Sequence, residues 1–587
     1  MKKILFMMLG VLIALPAFAR DFTYEYGGQT LTYTVLDENA KTCKTKNGSY
    51  QSSSYQPGNE VSGNLVLPAN PKDGEVEYTL TTIGTYAFSL CSGLTSVSIP
   101  NTVTSIGYAA FYKCSGLTSF NIPNSVTSIG EYAFASCSGL TSVNIPNSVT
   151  SIGKLALSYC SGLKTLIIED GDTELNVGDR AFKSSPLENL TIGRNWTYGG
   201  RIGMSTGIKN LTLTNGVTVI PDYAFHKCSG LTSVNIPESV TSIGESAFSD
   251  CSGLKTLIIE DGDTELNVGS FAFASAPLEN LTIGRNWTYG GIRAMSTDIK
   301  NLTLTNGVTV IPDYAFYNCS GLTSVNIPES VTSIGSEAFY NCSGLKTLII
   351  EDGDTELNVG DSAFQYSPIE NLSIGRNWTY GGSGAMTTSI KNLTLTNGVT
   401  VIPKYAFHKC SGLTSVSIPN TVTSIGYAAF YKCSGLTSFN IPNSVTSIGE
   451  SAFSDCSGLK TLIIEDGDTE LNVGNGAFNY SPIENLSIGR NWTYGGRGAM
   501  TTSIKNLTLT NGVTVIPDYA FHNCSNLLML SIGNNITSVD ASYFEGCNNL
   551  SSLTIADGPN PIELSGDWKN FTNLENLTIN RNFTITK

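Results

Sequence analysis

The sequence predicts a repeat solenoid, a chain that winds into a stack of similar coils, and three observations indicate it. Thirteen of the fourteen cysteines precede Ser or Asn, then Gly or Asn, then Leu, and most neighbouring pairs lie 23 residues apart. Leucine or isoleucine leads each of 22 units between residues 94 and 574. Residues 91–131 and 410–450 are identical. Repeats of this length form quasi-one-dimensional stacks, whose function usually lies in a surface.

One unit shows how each coil is expected to fold. Residues 117–122 follow the pattern L-x-x-F-x-I, which predicts a short strand with its apolar side chains inward. Pro123 ends that strand because proline has no N–H to donate. Residues 126–129 predict a second extended segment, and residues 133–137 have the apolar spacing of one short helical turn. A single coil buries too few side chains to be stable alone, so neighbouring coils must stack.

The chain divides into three predicted segments. Residues 1–19 combine two lysines, an apolar run and an Ala-Phe-Ala pattern, which indicates a cleaved secretory signal. Residues 20–62 predict an N-terminal β cap, with a hairpin around a Gly-Gly pair and an irregular loop over residues 43–60. Residues 63–587 predict the solenoid, with coils grouped in modules of 91 residues. We therefore expect an exported protein in the extracellular space, on the cell surface or in the periplasm.

Charge and hydropathy exclude two classes of function. Without the signal the chain has 31 basic and 48 acidic residues, a net charge of −17, which disfavours nucleic-acid binding. No apolar run approaches the roughly 20 residues that a membrane-spanning helix needs. Membrane insertion is therefore not expected.

The cysteines and histidines favour structure over catalysis. Equivalent cysteines are expected to form a ladder of free, buried thiols, with disulfides between neighbouring coils as the alternative. Cys43 lies outside the repeat and is the one expected reactive thiol. His226, His408 and His522 are the only histidines and occupy the same repeat position, so they are too far apart for a catalytic group. We expect no enzyme activity and no cofactor.

The phrase L-T-S-V-N-I-P-x-S-V-T-S-I-G-x-x-A-F-x-x-C-S-G-L resembles the BspA-like class of leucine-rich repeats. The resemblance covers roughly residues 63–580, and the opening F-T-Y-E-Y-G-G-Q-T-L-T-Y-T-V is similar to the N-terminal cap of such proteins from Bacteroidetes. It implies a leucine-rich-repeat solenoid that is secreted or displayed at the surface. It also implies adhesion to host matrix or epithelial proteins, or to other microbes. The alternatives are glycan binding and an extracellular scaffold with no small ligand.

The repeated R-N-W-T-Y-G-G segment is the first candidate binding surface. A sugar can stack on tryptophan while Asn and Arg bind its hydroxyl groups, and protein partners also favour Trp, Tyr and Arg anchors. The alternative is that the aromatic residues pack onto the neighbouring coil. The candidate residues are Arg194, Asn195, Trp196, Tyr198, Arg285, Trp287, Tyr289, Arg376, Trp378, Tyr380, Arg490, Trp492 and Tyr494.

Two further surfaces are weaker candidates. The exposed strand positions form polar rows, for example Ser142 with Asn144 and Asn189 with Thr191, that suit glycans or extended peptides. The segment E-D-G-D-T-E recurs four times and offers carboxylates to Ca²⁺, although a solvated hairpin turn between the flanking strands is the default. The candidate calcium ligands are Asp170, Asp172, Glu174, Asp261, Asp263, Asp352, Asp354, Asp466 and Asp468.

Overall fold

The computed structural model describes residues 20–51, 54–198, 205–289, 296–382, 387–495 and 501–586. It has the predicted fold class, a β-solenoid with a period of about 23 residues. A typical coil contributes a first strand, a second strand and a run of turns, and the coil at residues 504–526 has a first strand without a second one. The signal predicted for residues 1–19 lies outside the described residues.

The N-terminal cap is a small β-structure that leads into the solenoid. Its strands are Asp21–Tyr26, Gln29–Asp37, Thr42–Thr45, Ser49–Gln51 and Ser54–Gln56, and a short antiparallel pair, Lys72–Asp73 with Val76–Glu77, lies between the two strands of the first coil. The predicted hairpin is present, since the first two strands pair antiparallel around Gly27 and Gly28, which have φ angles of 60° and 78°. The irregular loop predicted for residues 43–60 is wrong at its start and in its middle, where Ser49–Gln51 pairs antiparallel with Ser54–Gln56. Thr42–Thr45 pairs with the hairpin and, in parallel, with Thr79–Ile83 of the first coil.

The described chain separates into two compact units. The first extends to Leu254 and includes Phe271–Ala276. Its first strands are Gly63–Val66, Leu94–Ser98, Ser119–Asn121, Ser142–Ile145, Thr165–Ile168, Asn189–Ile192, Asn210–Leu213 and Ser233–Ile236. Its second strands are Thr79–Ile83, Ser105–Ile106, Ser128–Ile129, Ser151–Ile152, Leu175–Val177, Trp196–Tyr198, Val219–Ile220 and Ser242–Ile243.

The second unit comprises Lys255–Ser270 and Pro277–Lys587. Its first strands are Thr256–Ile259, Asn280–Ile283, Asn301–Leu304, Ser324–Ile327, Thr347–Ile350, Asn371–Ile374, Asn392–Leu395, Val416–Ser417, Ser438–Ile441, Thr461–Ile464, Asn485–Ile488, Asn506–Leu509, Met529–Ile532, Ser552–Ile555 and Asn576–Ile579. Its second strands are Leu266–Val268, Trp287–Tyr289, Val310–Ile311, Ser333–Ile334, Leu357–Val359, Trp378–Tyr380, Val401–Ile402, Ser424–Ile425, Ser447–Ile448, Leu471–Val473, Trp492–Tyr494, Ser538–Asp540, Ile562–Ser565 and Phe583–Ile585.

Helix is nearly absent from the described chain. Two 3₁₀ helices occur, Ala541–Phe544 and Trp568–Asn570, and no described helix has the length and apolarity needed to cross a membrane. The short helical turn expected in each coil is replaced by consecutive β-turns. Tyr112 N–H donates to Ala109 O at 3.1 Å within its own coil, whereas Phe111 N–H donates to Ala133 O of the next coil at 2.7 Å.

This alternation explains why turns replace the helix. A helix uses its N–H groups internally, whereas here every second N–H of the segment bonds the neighbouring coil. Non-glycine residues with left-handed backbone conformation produce this alternation of N–H directions, for example Ala109 with φ 49° and Lys113 with φ 59°. The run of turns therefore holds neighbouring coils together much as a third sheet would.

The core consists of repeated side chains that stack from coil to coil. Phe111 and Phe134 stack with ring centroids 5.2 Å apart. The Cys137 thiol donates to Phe111 O in the preceding coil at 3.1 Å, so the cysteine ladder satisfies buried carbonyls. All fourteen cysteines are free and buried. The reactive thiol expected at Cys43 is wrong, because this side chain is fully buried and burial raises its pKa to about 12.

Candidate interaction surfaces

The arginines of the R-N-W-T-Y-G-G segments are buried and bind backbone carbonyls. Arg194 Nη2 donates to Pro146 O and Val149 O, both at 2.9 Å, and Nη1 donates to Asn147 O. These carbonyls belong to the turn after a first strand two coils earlier. Burial lowers the pKa of the Arg194 guanidinium. Arg376, Arg490 and Arg581 make equivalent contacts, and Arg285 is equally buried.

The tryptophans of these segments belong to the core. Trp196, Trp287, Trp378 and Trp492 are only 1–2% exposed. Trp196 lies against Phe225, with ring centroids 6.1 Å apart. The prediction that a ligand contacts these indole and guanidinium groups is therefore wrong, because the hydrophobic indole packs inward and the guanidinium has its partners within the chain. The alternative, packing onto the neighbouring coil, describes the structure.

The remaining candidates of this segment also have structural contacts. Asn195 Oδ1 accepts from Thr218 N–H at 2.8 Å and Val219 N–H at 3.0 Å, while its Nδ2 donates to the Thr218 hydroxyl at 2.7 Å. Burial raises the pKa of Tyr198 to about 12. Tyr198, Tyr289, Tyr380 and Tyr494 are half-buried. Asn195 is half-buried as well.

The acidic segments form corners between the two kinds of strand. Asp170 accepts a hydrogen bond from the Thr214 hydroxyl, and Asp261, Asp352 and Asp466 accept equivalent bonds. The hairpin expected here is wrong, because the flanking strands pair with strands of other coils and not with each other. Asp172, Glu174, Asp263, Asp354 and Asp468 are exposed. In the part of the chain that the structure describes, no three His, Cys, Asp or Glu side chains form a metal-binding group.

The outward side chains of the first strands form the strand face, where equivalent residues line up. One row contains Ser142, Thr165, Asn189 and Asn210, and the adjacent row contains Asn144, Ile167, Thr191 and Thr212. The amide groups continue along the row, since Asn210 Nδ2 donates to Asn189 Oδ1 at 2.7 Å. These are the polar rows that the repeat predicts, but an isoleucine interrupts one of them.

This isoleucine is exposed in every module. Ile167, Ile258, Ile349 and Ile463 have exposed fractions of 40%, 40%, 42% and 43%. A glutamate lies between two lysines just before the first strands of these coils. Glu188 Oε1 is 3.4 Å from Lys164 Nζ, and its Oε2 is 3.0 Å from Lys209 Nζ. The same arrangement around Glu370 lowers the pKa of that carboxyl to about 2, through hydrogen bonds from Lys391 and Lys346.

The run of turns presents a second surface, the turn side, that the sequence reasoning missed. Ten Phe and Tyr side chains in the described chain are exposed, and eight of them lie on the turn side. Because Tyr and Phe are enriched at protein interfaces, the turn side is a second candidate surface. The eight residues are Tyr108, Tyr159, Phe271, Tyr314, Tyr366, Tyr427, Tyr480 and Tyr519.

Comparison with known proteins agrees with this coil geometry. A family model described as a BspA type leucine rich repeat region matches residues 81–201, 203–297, 294–388, 385–501 and 499–587. The chain belongs to the BspA-type leucine-rich-repeat family. Among curated proteins, none matches the chain.

Solved structures similar to this BspA-type chain include a leucine-rich repeat protein from Bacteroides ovatus. That protein is 20% identical, with 96% of this chain and 100% of that one covered and a TM-score of 0.27. A leucine rich cell surface protein from Faecalibacterium prausnitzii is 27% identical, with 76% and 94% covered and a TM-score of 0.29. The pneumococcal vaccine antigen PcpA is 15% identical, with 96% and 99% covered and a TM-score of 0.21.

The BspA-type pattern contains a signal for the turn side. In G-x-x-A-F-x-x-C the apolar letters mark the core, and the letters x mark residues that face solvent or the neighbouring coil. Tyr108 occupies such a position, as do the histidines: His226 Nδ1 is 2.7 Å from the Ser249 hydroxyl of the next coil. Tyrosine at repeated outward positions is the observation that could have identified this surface from the sequence.

Proposed function

We propose that this chain is an exported, adhesin-like protein that holds a protein partner on the strand face and performs no chemistry on it. One observation carries the proposal: the same exposed arrangement occurs four times. Each module presents an isoleucine that is 40–43% exposed, a pair of hydrogen-bonded asparagines and a glutamate between two lysines.

The chemistry of this arrangement suits a protein partner. Protein interfaces combine an apolar centre with a polar rim. Ile167 supplies the apolar atoms, Asn144 and Thr191 lie beside it in the same row, and the lysine-glutamate arrangement forms the edge. Because the glutamate balances part of the lysine charge, the strand face does not select strongly for an anionic polymer.

Repetition raises the avidity of such a surface. In the second unit, Ile258 and Ile349 are four coils apart, roughly 19 Å at about 4.8 Å per strand. A partner that engages two sites gains through effective concentration, by a factor on the order of 100 or more. Weak single contacts then suffice for adhesion. Family membership and the signal-like residues 1–19 support export as the setting for this function.

The test replaces the four isoleucines with threonine, which suits a strand and already occupies neighbouring positions in the row. Wild type and the variants Ile167→Thr, Ile258→Thr, Ile349→Thr and Ile463→Thr, combined stepwise, are measured for binding to an array of host matrix proteins and bacterial surface proteins. We expect binding to weaken with each added substitution and to be lost in the quadruple variant, while the urea unfolding midpoint stays unchanged.

A matched control lies on another side of the coils. Val219, Val310, Val401 and Val515 recur once per module and have exposed fractions of 42%, 41%, 41% and 62%, but they belong to the second strand or the segment equivalent to it. Replacing all four with threonine removes as many exposed apolar groups. The control variant should bind like wild type. Equal binding by the quadruple isoleucine variant would contradict the proposal.

A further inference from the structure

Two adjacent coils of the second unit place a distinct group of side chains on the turn side. Tyr405 N–H donates to Tyr427 O at 2.9 Å, and Lys409 N–H donates to Tyr431 O at 2.7 Å. The segments 404–409 and 427–432 therefore lie side by side. We name this surface the basic aromatic patch; it consists of Lys404, Tyr405, Lys409, Tyr427, Tyr431 and Lys432.

The rings of the patch contact one another continuously through His408. The ring centroids are 5.2 Å apart for Tyr405 and Tyr427, 5.7 Å for Tyr405 and His408, and 5.1 Å for His408 and Tyr431. Tyr427 is 43% exposed. The result is a broad aromatic surface with phenol hydroxyls, fixed by contacts across two coils.

The three lysines form no ion pair among the described residues, and the nearest acidic residues in the stack, Glu450 and Asp455, lie in the next coil. Lys404, Lys409 and Lys432 are all exposed, and among the described residues no carboxylate lies within 4.0 Å of their ammonium groups. Lys432 Nζ is 5.1 Å from the Tyr431 ring centroid. Burial, then Lys409, then Lys432 lower the pKa of His408. The strand-face lysines, in contrast, are paired with glutamates.

Among the four equivalent coils of the modules, this combination occurs once. The equivalent coils read D-Y-A-F-H-K-C at 222–228, D-Y-A-F-Y-N-C at 313–319 and D-Y-A-F-H-N-C at 518–524, whereas residues 404–410 read K-Y-A-F-H-K-C. The neighbouring Y-A-A-F-Y-K-C coil comes from the one extra 23-residue unit in this module. A chain with a net charge of −15 thus has a local basic surface where one coil was added.

We propose that the basic aromatic patch binds an acidic polysaccharide, with its sulfate or carboxylate groups at the lysines and its sugar rings against the tyrosines. Lysine is a compact point charge that binds anions without a fixed geometry, and aromatic faces with polar edges suit the C–H and hydroxyl groups of sugars. A linear polyanion in which sugar rings alternate with charged groups matches the alternation of Lys and Tyr. This function is additional to protein binding on the strand face.

The experiment measures binding of the full chain to chondroitin sulfate, to polygalacturonate and to neutral dextran, at low and high salt. The test variant is K404D with K409N, which converts residues 404–410 to the sequence that this chain already folds at 518–524. We expect both polyanions to bind wild type, with weaker binding at high salt because exposed charges are screened. The variant should bind at least about tenfold more weakly.

The control variant, K154D with K183N, makes the same change in net charge on the turn side of the first unit. It should retain binding to the polyanions, and the isoleucine variants of the strand face should retain it too, which separates this proposal from the proposed function. Three results would overturn it: unchanged binding by K404D with K409N, an equal loss in the control, or binding to poly-glutamate in place of both polysaccharides.

Discussion

The Arg194 guanidinium donates a hydrogen bond to the backbone carbonyl of Val149, 45 residues earlier in the chain, at 2.9 Å. The contact links one coil to the turn of the second coil before it. Arg581 repeats this bond with Ile536 O, and Arg376 and Arg490 donate to a proline carbonyl of their own preceding turns. A charged side chain inside the solenoid is stable here because its cost of burial is offset by several hydrogen bonds to carbonyls.

Replacing Arg194 with lysine should loosen the turn at residues 146–149. Lysine keeps the charge but lacks the planar fork that reaches three carbonyls at once. We expect a loss of about 3 kcal/mol from the missing charged hydrogen bonds. Hydrogen exchange of peptides from this turn should be faster in Arg194→Lys than in wild type. Arg180→Lys, at an exposed position, is the control, and unchanged protection of the turn would contradict the role of Arg194.

Adding a methyl group at Gly216 should also separate neighbouring coils. A Cβ at this position would lie 1.9 Å from Gly193 O, and the equivalent glycines 307, 398 and 512 show the same distance to theirs. Because the Cβ has no rotatable bond that could move it away and Gly193 O is a backbone atom, the coils must move apart, and we expect Gly216→Ala to cost about 2 kcal/mol. Urea unfolding measures it. At Gly171 the nearest atom is 3.1 Å away in a side chain, so Gly171→Ala should cost far less.

The strands and the core could be predicted from the sequence because their signals are local. The L-x-x-L-x-L spacing, the proline after the first strand and the cysteine at every twenty-third position each specify one side of the coil. Cys137 occupies its place because a thiol is small enough for the core and can donate to Phe111 O. Register follows from repetition, since identical units stack with equivalent residues side by side.

The turns and the arginine contacts could not be predicted in the same way. The left-handed residues include Tyr, Lys and Ser, which carry no local signal for that conformation, so the apolar spacing was compatible with a helix. Arg194 and Trp196 resembled an exposed binding site because their partners lie one or two coils away. Tertiary contacts between coils cannot be inferred from the sequence pattern of a single repeat unit.

The cysteines should resist alkylation in the native protein. Burial raises the pKa of Cys43 and of Cys160 to about 12, so neither forms the reactive thiolate near neutral pH. We expect no adducts with iodoacetamide under native conditions and fourteen in urea, as measured by mass spectrometry. Modification of Cys43 in the native state would contradict its burial.

The same shifts predict alkaline instability. A thiol whose pKa is higher in the folded state than in the unfolded state contributes to the free energy of unfolding. This contribution is complete at a pH where the thiol is protonated in both states. That contribution is complete below about pH 8.5, the ordinary thiol pKa, and it is lost as the pH rises toward 12. The urea midpoint should therefore fall across this range. Cys43→Ala should reduce the slope, and an identical slope in the variant would contradict the assignment.

Glycine should be tolerated at the left-handed positions of the turn side, where a β-branched residue should not. Arg180 has φ 57°, and Gly476 occupies the equivalent place in another module with φ 60°. Arg180→Gly removes about 1 kcal/mol of backbone strain, which roughly offsets its greater entropy loss on folding. Arg180→Val should lower the urea midpoint clearly. Lys183→Val, at an exposed position outside the left-handed region, should lower it less. Higher stability of Arg180→Val than of Arg180→Gly would contradict this account of the turns.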